Sequence, residues 1–143
     1  MDELYRDQIL EHYKRPHNFG RLEDFDLDYE DTNPLCGDEQ HVYIKLDEDG
    51  RVSDVSFEGQ GCAISTAATS LLTDELEGLT REELIRIPKE EVLELLGIQI
   101  SATRMKCAML GVKVVKSAAL GEPADWEDEG RRGDPSDPSR SGL

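Results

Sequence analysis

Residues 42–57 read VYIKLDEDGRVSDVSF. Val42, Ile44 and Leu46 alternate with Tyr43 and Lys45, the two-residue period of a half-buried strand. Asp47-Glu48-Asp49-Gly50 has turn composition, and Val52, Val55 and Phe57 lie on the returning strand. The apolar phase slips between Val52 and Val55, which predicts a bulge or register adjustment. Upstream, Phe25, Leu27 and Tyr29 alternate with Asp24, Asp26 and Asp28, so a further strand precedes this pair. Three consecutive strands with short connections predict an antiparallel meander.

Helical patterns flank the meander. From Asp2 to Lys14 the residues Leu4, Tyr5, Ile9, Leu10 and Tyr13 fall on one helical face, closed by Pro16 and Gly20. After the strands, EGQGC (58–62) leads into AISTAATSLLTDEL, whose small residues allow close helix packing. Thr80 and Glu83 have capping-box spacing for a short helix before Pro88. KEEVLELLG reads as another, terminated by Gly97. A last helix begins near Ser101 and carries Met105, Met109, Val112 and Leu120. The order α-β-β-β followed by helices predicts an α+β domain, a three-stranded antiparallel sheet with helices packed on one face. We place this domain at residues 1–120. Residues 121–143, rich in Asp, Glu, Pro, Ser and Gly with Trp126 the one aromatic, form an expected mobile, acidic tail.

The chain has 143 residues, with 32 acidic against 16 basic side chains and a net charge of −16. Such a surface repels phosphate backbones, so nucleic acid is not an expected partner. No apolar stretch approaches the ~20 residues of a membrane span, and the N-terminus lacks the apolar run of a signal peptide. Three cysteines are an odd number for a disulfide framework; a reducing cytoplasm is the expected compartment.

Those cysteines carry the chemistry. Cys36 and Cys62 are 26 residues apart, and Cys62 and Cys107 are 45 apart, so no short Cys-x-x-Cys step exists. Their settings say more than their spacing. Cys36 sits in a turn made by Pro34 and Gly37. Cys62 lies at a glycine-rich helix start, where N–H groups and the positive dipole end favour a thiolate. Cys107 is near the start of the last helix, beside Arg104 and Lys106. Buried, inert packing is the ordinary fate of a free cysteine. Three at turns or helix starts point instead to gathered thiolates, which need a cation between them. Asp38 is a candidate fourth ligand: a hard oxygen donor that suits zinc and holds an iron–sulfur cluster less firmly than a fourth thiolate. A turn-capping aspartate is the plainer reading. His12, His17 and His41 read as surface or packing residues. No Ser/His/Asp pattern, P-loop or dinucleotide fingerprint is present.

NPLCGDE, FEGQGCAIS-x-AATSLLT and RMKCAML, with the leading LYRDQILEHYKRPHNFG, resemble the NifU/IscU/SufU family of iron–sulfur cluster assembly proteins. The resemblance runs from about Leu4 to Leu120. It implies a three-stranded sheet with helices against it and a metal site at one end. It also implies Cys36, Asp38, Cys62 and Cys107 as ligands, and a cysteine desulfurase as the partner that delivers persulfide sulfur. Lys106 occupies the place of the histidine usual in the IscU branch, and Arg-x-Lys-Cys is more like the SufU branch. The extra segment usual in SufU is nevertheless missing from 63–106, and ISATRMK replaces the Leu-Pro-Pro-Val-Lys chaperone motif of IscU. The expected function is a scaffold that builds a labile, transient 2Fe–2S cluster and passes it to apo-proteins or downstream assembly proteins. The alternative is a zinc-dependent sulfurtransferase using the same site. Either way, Cys36 is the expected sulfur acceptor, with Cys107 the alternative and Arg104 and Lys106 in support. A purely structural zinc domain gives no reason for a labile aspartate ligand.

Overall fold

Along the central strand, the side chains at 38, 40, 42 and 44 are all buried on one face, and this fixes where the helices pack. The computed structural model describes residues 2–33 and 37–124. Its elements are α1 (Asp2–Lys14), β1 (Leu27–Asn33), β2 (Asp38–Leu46), β3 (Val52–Gln60), α2 (Ala63–Thr73), α3 (Arg81–Ile85), α4 (Lys89–Leu96) and α5 (Ala102–Leu120). The strands form an antiparallel meander in the order β1-β2-β3. Val42 stands opposite Tyr29 and Phe57, and Ile44 opposite Leu27 and Val55. All of these lie in or against one hydrophobic core, completed by Leu72 of α2, Leu84 of α3, Val92 and Leu96 of α4, and Leu110, Val114 and Val115 of α5.

The slipped phase in the third strand is a real irregularity. Lys45 pairs with Asp54 but Leu46 pairs with Val52, which leaves Ser53 as the extra residue. The capping box is also present: Thr80 accepts from the Glu83 N–H, and the Glu83 carboxylate accepts from the Thr80 N–H. Gly97 ends α4 in the left-handed conformation, with φ of 71°. The last helix has Ser101 as its N-cap. It runs against α2, where Gly111 allows a close approach: a Cβ there would lie 2.3 Å from Thr69 Oγ1.

Two details differ from the pattern in the sequence. The first strand begins at Leu27; Phe25 precedes it and sets its ring edge-on to Tyr43, with centroids 5.2 Å apart. On α1, Ile9 and His12 are buried, whereas Leu10 and Tyr13 lie at the surface. The apolar stripe is thus turned so that its Ile9 edge meets the core. The region expected as an acidic tail falls, from residue 125 onward, outside the described residues. Among the described residues, no helix is long and apolar enough to cross a membrane.

Candidate metal centre

The helix-covered face of β2 delivers the first site residue. Asp38 begins that strand on the same side as Gln40 and Val42, and it is 2% exposed. It therefore belongs to the end of the sheet, as the first residue of β2. Its Oδ1 accepts the backbone N–H of Cys62 at 3.0 Å, and its Oδ2 lies 3.9 Å from the Cys62 sulfur. Gly61 makes room for this carboxylate: a Cβ at 61 would stand 2.7 Å from Asp38 Oδ1.

Cys62 is the N-cap of α2. Its backbone is extended, and its sulfur accepts the Ser65 N–H at 3.4 Å. The positive end of the helix dipole thus faces the sulfur, the placement that the glycine-rich approach to this helix predicts. Behind it, Gln40 donates through Nε2 to Ser65 Oγ at 3.1 Å, a buried tie between β2 and the first turn of α2. Cys107 comes from the second turn of α5 and is 3% exposed.

Asp38, Cys62 and Cys107 thereby meet. One ligand atom from each lies within 4.8 Å of the others. They border a cavity of about 490 Å³ that Gly37, Gly61 and Arg104 also line. Arg104 is exposed where it borders this cavity. Lys106 is exposed and is not among the residues lining the cavity. Cys36 lies outside the described residues, and its neighbour Gly37 stands in the cavity wall with φ of 75°.

A carboxylate and two thiols in one half-enclosed cleft form a demanding group. Deprotonated, they repel one another in a medium of low dielectric unless a cation lies between them. Sulfur donors with one oxygen donor fit zinc or an iron–sulfur cluster, and the short distances need only small side-chain rotations. Sequence reasoning overlooked Gln40 and the contact of Gly61 with Asp38. The signal for the first was available: positions 38 and 40 share the parity of Val42 and Ile44.

The histidines stand elsewhere. His12 is buried with Nδ1 2.7 Å from Ser70 Oγ, His17 pairs with Asp74 at 2.6 Å, and His41 pairs with Asp28 at 2.8 Å. His41 also stacks on Tyr43 at 4.2 Å between ring centroids.

Residues 4–122 match the model of the NifU-like N terminal domain. Over 117 residues the chain is 35% identical to the iron-sulfur cluster assembly scaffold protein IscU 1 of Archaeoglobus fulgidus, covering 82% of this chain and 75% of that one. It is 33% identical to the zinc-dependent sulfurtransferase SufU of Bacillus subtilis, covering 85% of this chain and 93% of that protein. Among solved structures, a candidate cluster assembly scaffold for the SUF system from Fervidobacterium islandicum superposes with a TM-score of 0.66 at 25% identity, covering 79% of this chain and 94% of that one. The match across almost the whole folded region, with the same sheet and helix arrangement, places this chain in the family of NifU-like N-terminal domains.

Proposed function

We propose that this protein is a cytoplasmic scaffold on which a 2Fe–2S cluster is assembled from ferrous iron and desulfurase-derived sulfur, then handed to apo-proteins. The convergence of Asp38, Cys62 and Cys107 at one cavity carries this reading. Cys36 completes the proposed ligand set. Three thiolates hold the cargo; the single carboxylate is the weak point at which it is released.

Sulfur arrives by exchange. A thiolate of this chain, Cys36 first and Cys107 as the alternative, attacks the outer sulfur of the desulfurase persulfide. A new S–S bond forms, the old one breaks, and the desulfurase cysteine leaves as thiolate. Reduction of the transferred sulfur to sulfide takes two electrons from an external donor, a dithiol or a low-potential electron carrier. Arg104 at the cavity rim supplies positive charge beside the incoming anionic sulfur.

The test is anaerobic incubation with ferrous iron, cysteine, a cysteine desulfurase and a reductant. The expected product is a coloured protein that transfers its cluster to an apo-ferredoxin. Asp38→Ala should slow that transfer and make the cluster more persistent.

One observation favours a second reading, in which the site works as a zinc-dependent sulfurtransferase. The mixed donor set with a buried carboxylate suits zinc well. Zinc bound there would keep the thiols deprotonated and in place. A colourless protein that keeps zinc and still stimulates the desulfurase would decide for this second reading.

A further inference from the structure

A second cluster of ligand-type side chains lies at the other end of α2. His12 on α1, His17 just beyond it and Asp74 at the C-cap of α2 each offer a ligand atom, and these lie within 4.8 Å of one another. Their surroundings orient them. His12 Nδ1 is 2.7 Å from Ser70 Oγ, and the same oxygen accepts the backbone N–H of His17 at 2.7 Å. In the tautomer that donates Nδ1–H to Ser70, His12 presents the lone pair of Nε2. An oxygen acceptor behind the ring is the usual support of a metal-bound histidine.

Asp74 is held from its other side. Asn18 donates through Nδ2 to Asp74 Oδ1 and to Thr73 Oγ1, both at 3.0 Å. Asn18 itself adopts φ of 56°, an uncommon left-handed conformation for a non-glycine residue. Its carbonyl accepts the Phe57 N–H at 2.8 Å, which fixes the turn that carries His17. The imidazole rings of His12 and His17 stand 4.3 Å apart between centroids, so both reach the same small space.

We propose that His12, His17 and Asp74 bind a divalent first-row transition cation of the zinc or ferrous class, independently of the cysteine site. Two imidazoles and a carboxylate form a recurrent three-ligand set for such ions, with a further position open to water. Ligands about 2.0–2.1 Å from zinc stand roughly 3.4 Å apart in a tetrahedron, so modest rotations close this cluster around an ion. Eight residues of α2 separate Ser70 from Cys62, or about 12 Å along the axis, so the two sites do not share ligands. The bound ion ties the end of α1 to the end of α2.

The experiment is a titration of untagged, metal-free protein with zinc and, separately, with cobalt. Wild type should bind two zinc ions per chain, and His17→Ala/Asp74→Asn one. His17 and Asp74 side chains are 51% and 38% exposed, so this variant should keep its fold, with thermal unfolding as the check. Cys62→Ser/Cys107→Ser should retain the second ion, and its cobalt spectrum should show ligand-field bands without thiolate charge transfer. Affinity at this site should fall at least ~10-fold in His17→Ala alone. A single zinc ion in folded wild type would overturn the proposal, as would two ions persisting in His17→Ala/Asp74→Asn.

Discussion

Gly61→Ala isolates the support of the proposed metal centre from its candidate ligands. The φ of Gly61 is not positive, so alanine meets no backbone penalty there. The added Cβ would stand 2.7 Å from Asp38 Oδ1, 3.0 Å from Cγ and 3.2 Å from Cβ. A relaxed contact needs about 3.4–3.5 Å, so the carboxylate must retreat by about 0.7 Å. Its bond to the Cys62 N–H, now 3.0 Å, then passes beyond hydrogen-bonding distance. A buried bond to a charged group contributes about 1.5–3 kcal/mol. We therefore expect Gly61→Ala to cost about 2 kcal/mol in urea unfolding of the metal-free protein, and zinc affinity to fall by about 10-fold or more. In an Asp38→Ala background only the 3.2 Å contact persists, and the cost should drop below about 1 kcal/mol. A Gly61→Ala penalty of equal size in both backgrounds would refute the claim that Gly61 acts through Asp38.

Three further expectations follow from the packing and the site. Gly111→Ala would gain about 1 kcal/mol of helix propensity, but its Cβ meets Thr69 Oγ1 at 2.3 Å, so a net loss of about 1–3 kcal/mol is expected in thermal or urea melts. Leu110, wholly buried in the core, should cost about 2–5 kcal/mol when replaced by alanine, read from the same melts. The Tyr43 hydroxyl is pushed up to about 12 by burial and then by the Glu58 carboxylate that accepts its hydrogen bond. Its folded pKa exceeds the unfolded one, so this contribution is complete below about pH 10 and is lost as pH rises toward 12. Tyr43→Phe should flatten that alkaline decline, and an absorbance titration of wild type should show a tyrosinate forming near pH 12 that the variant lacks.

The meander, its bulge, the capping box and the helix ends were legible because each depends on a local rule. Alternation at Val42, Ile44 and Leu46 sets a strand, the slip at Val52–Val55 sets the bulge, and Gly97 stops a helix wherever the rest of the chain lies. What escaped the sequence depends on distant packing. Asp38 reads as part of a Cys-Gly-Asp turn, yet it opens a strand, because Gly37 N–H closes back on the Asn33 carbonyl at 2.7 Å and pairing starts at once. The core-facing edge of α1 is chosen by α2, so Ile9 and His12 are buried while Leu10 and Tyr13 are not. Tyr43 has the parity of an outward residue and is fully buried, since Phe25 and His41 pack on its ring and Arg21 lies 5.6 Å from its centroid. The cluster of His12, His17 and Asp74 joins residues 57 and more positions apart through the α1–α2 contact. No short motif announces it.

The two parts of the proposed metal centre differ in the same way. Cysteine at helix starts and turns was visible as chemistry in the sequence; the glycine and glutamine that position Asp38 and the first turn of α2 became visible only once the strand faced the helix. The most direct test is what the proposed centre holds in the cell. Protein purified without oxygen from cells that also produce a cysteine desulfurase should contain iron and acid-labile sulfide in equal amounts, with visible absorption that Cys107→Ser abolishes. Zinc without labile sulfide in the folded wild-type protein, and no visible absorption, would contradict it.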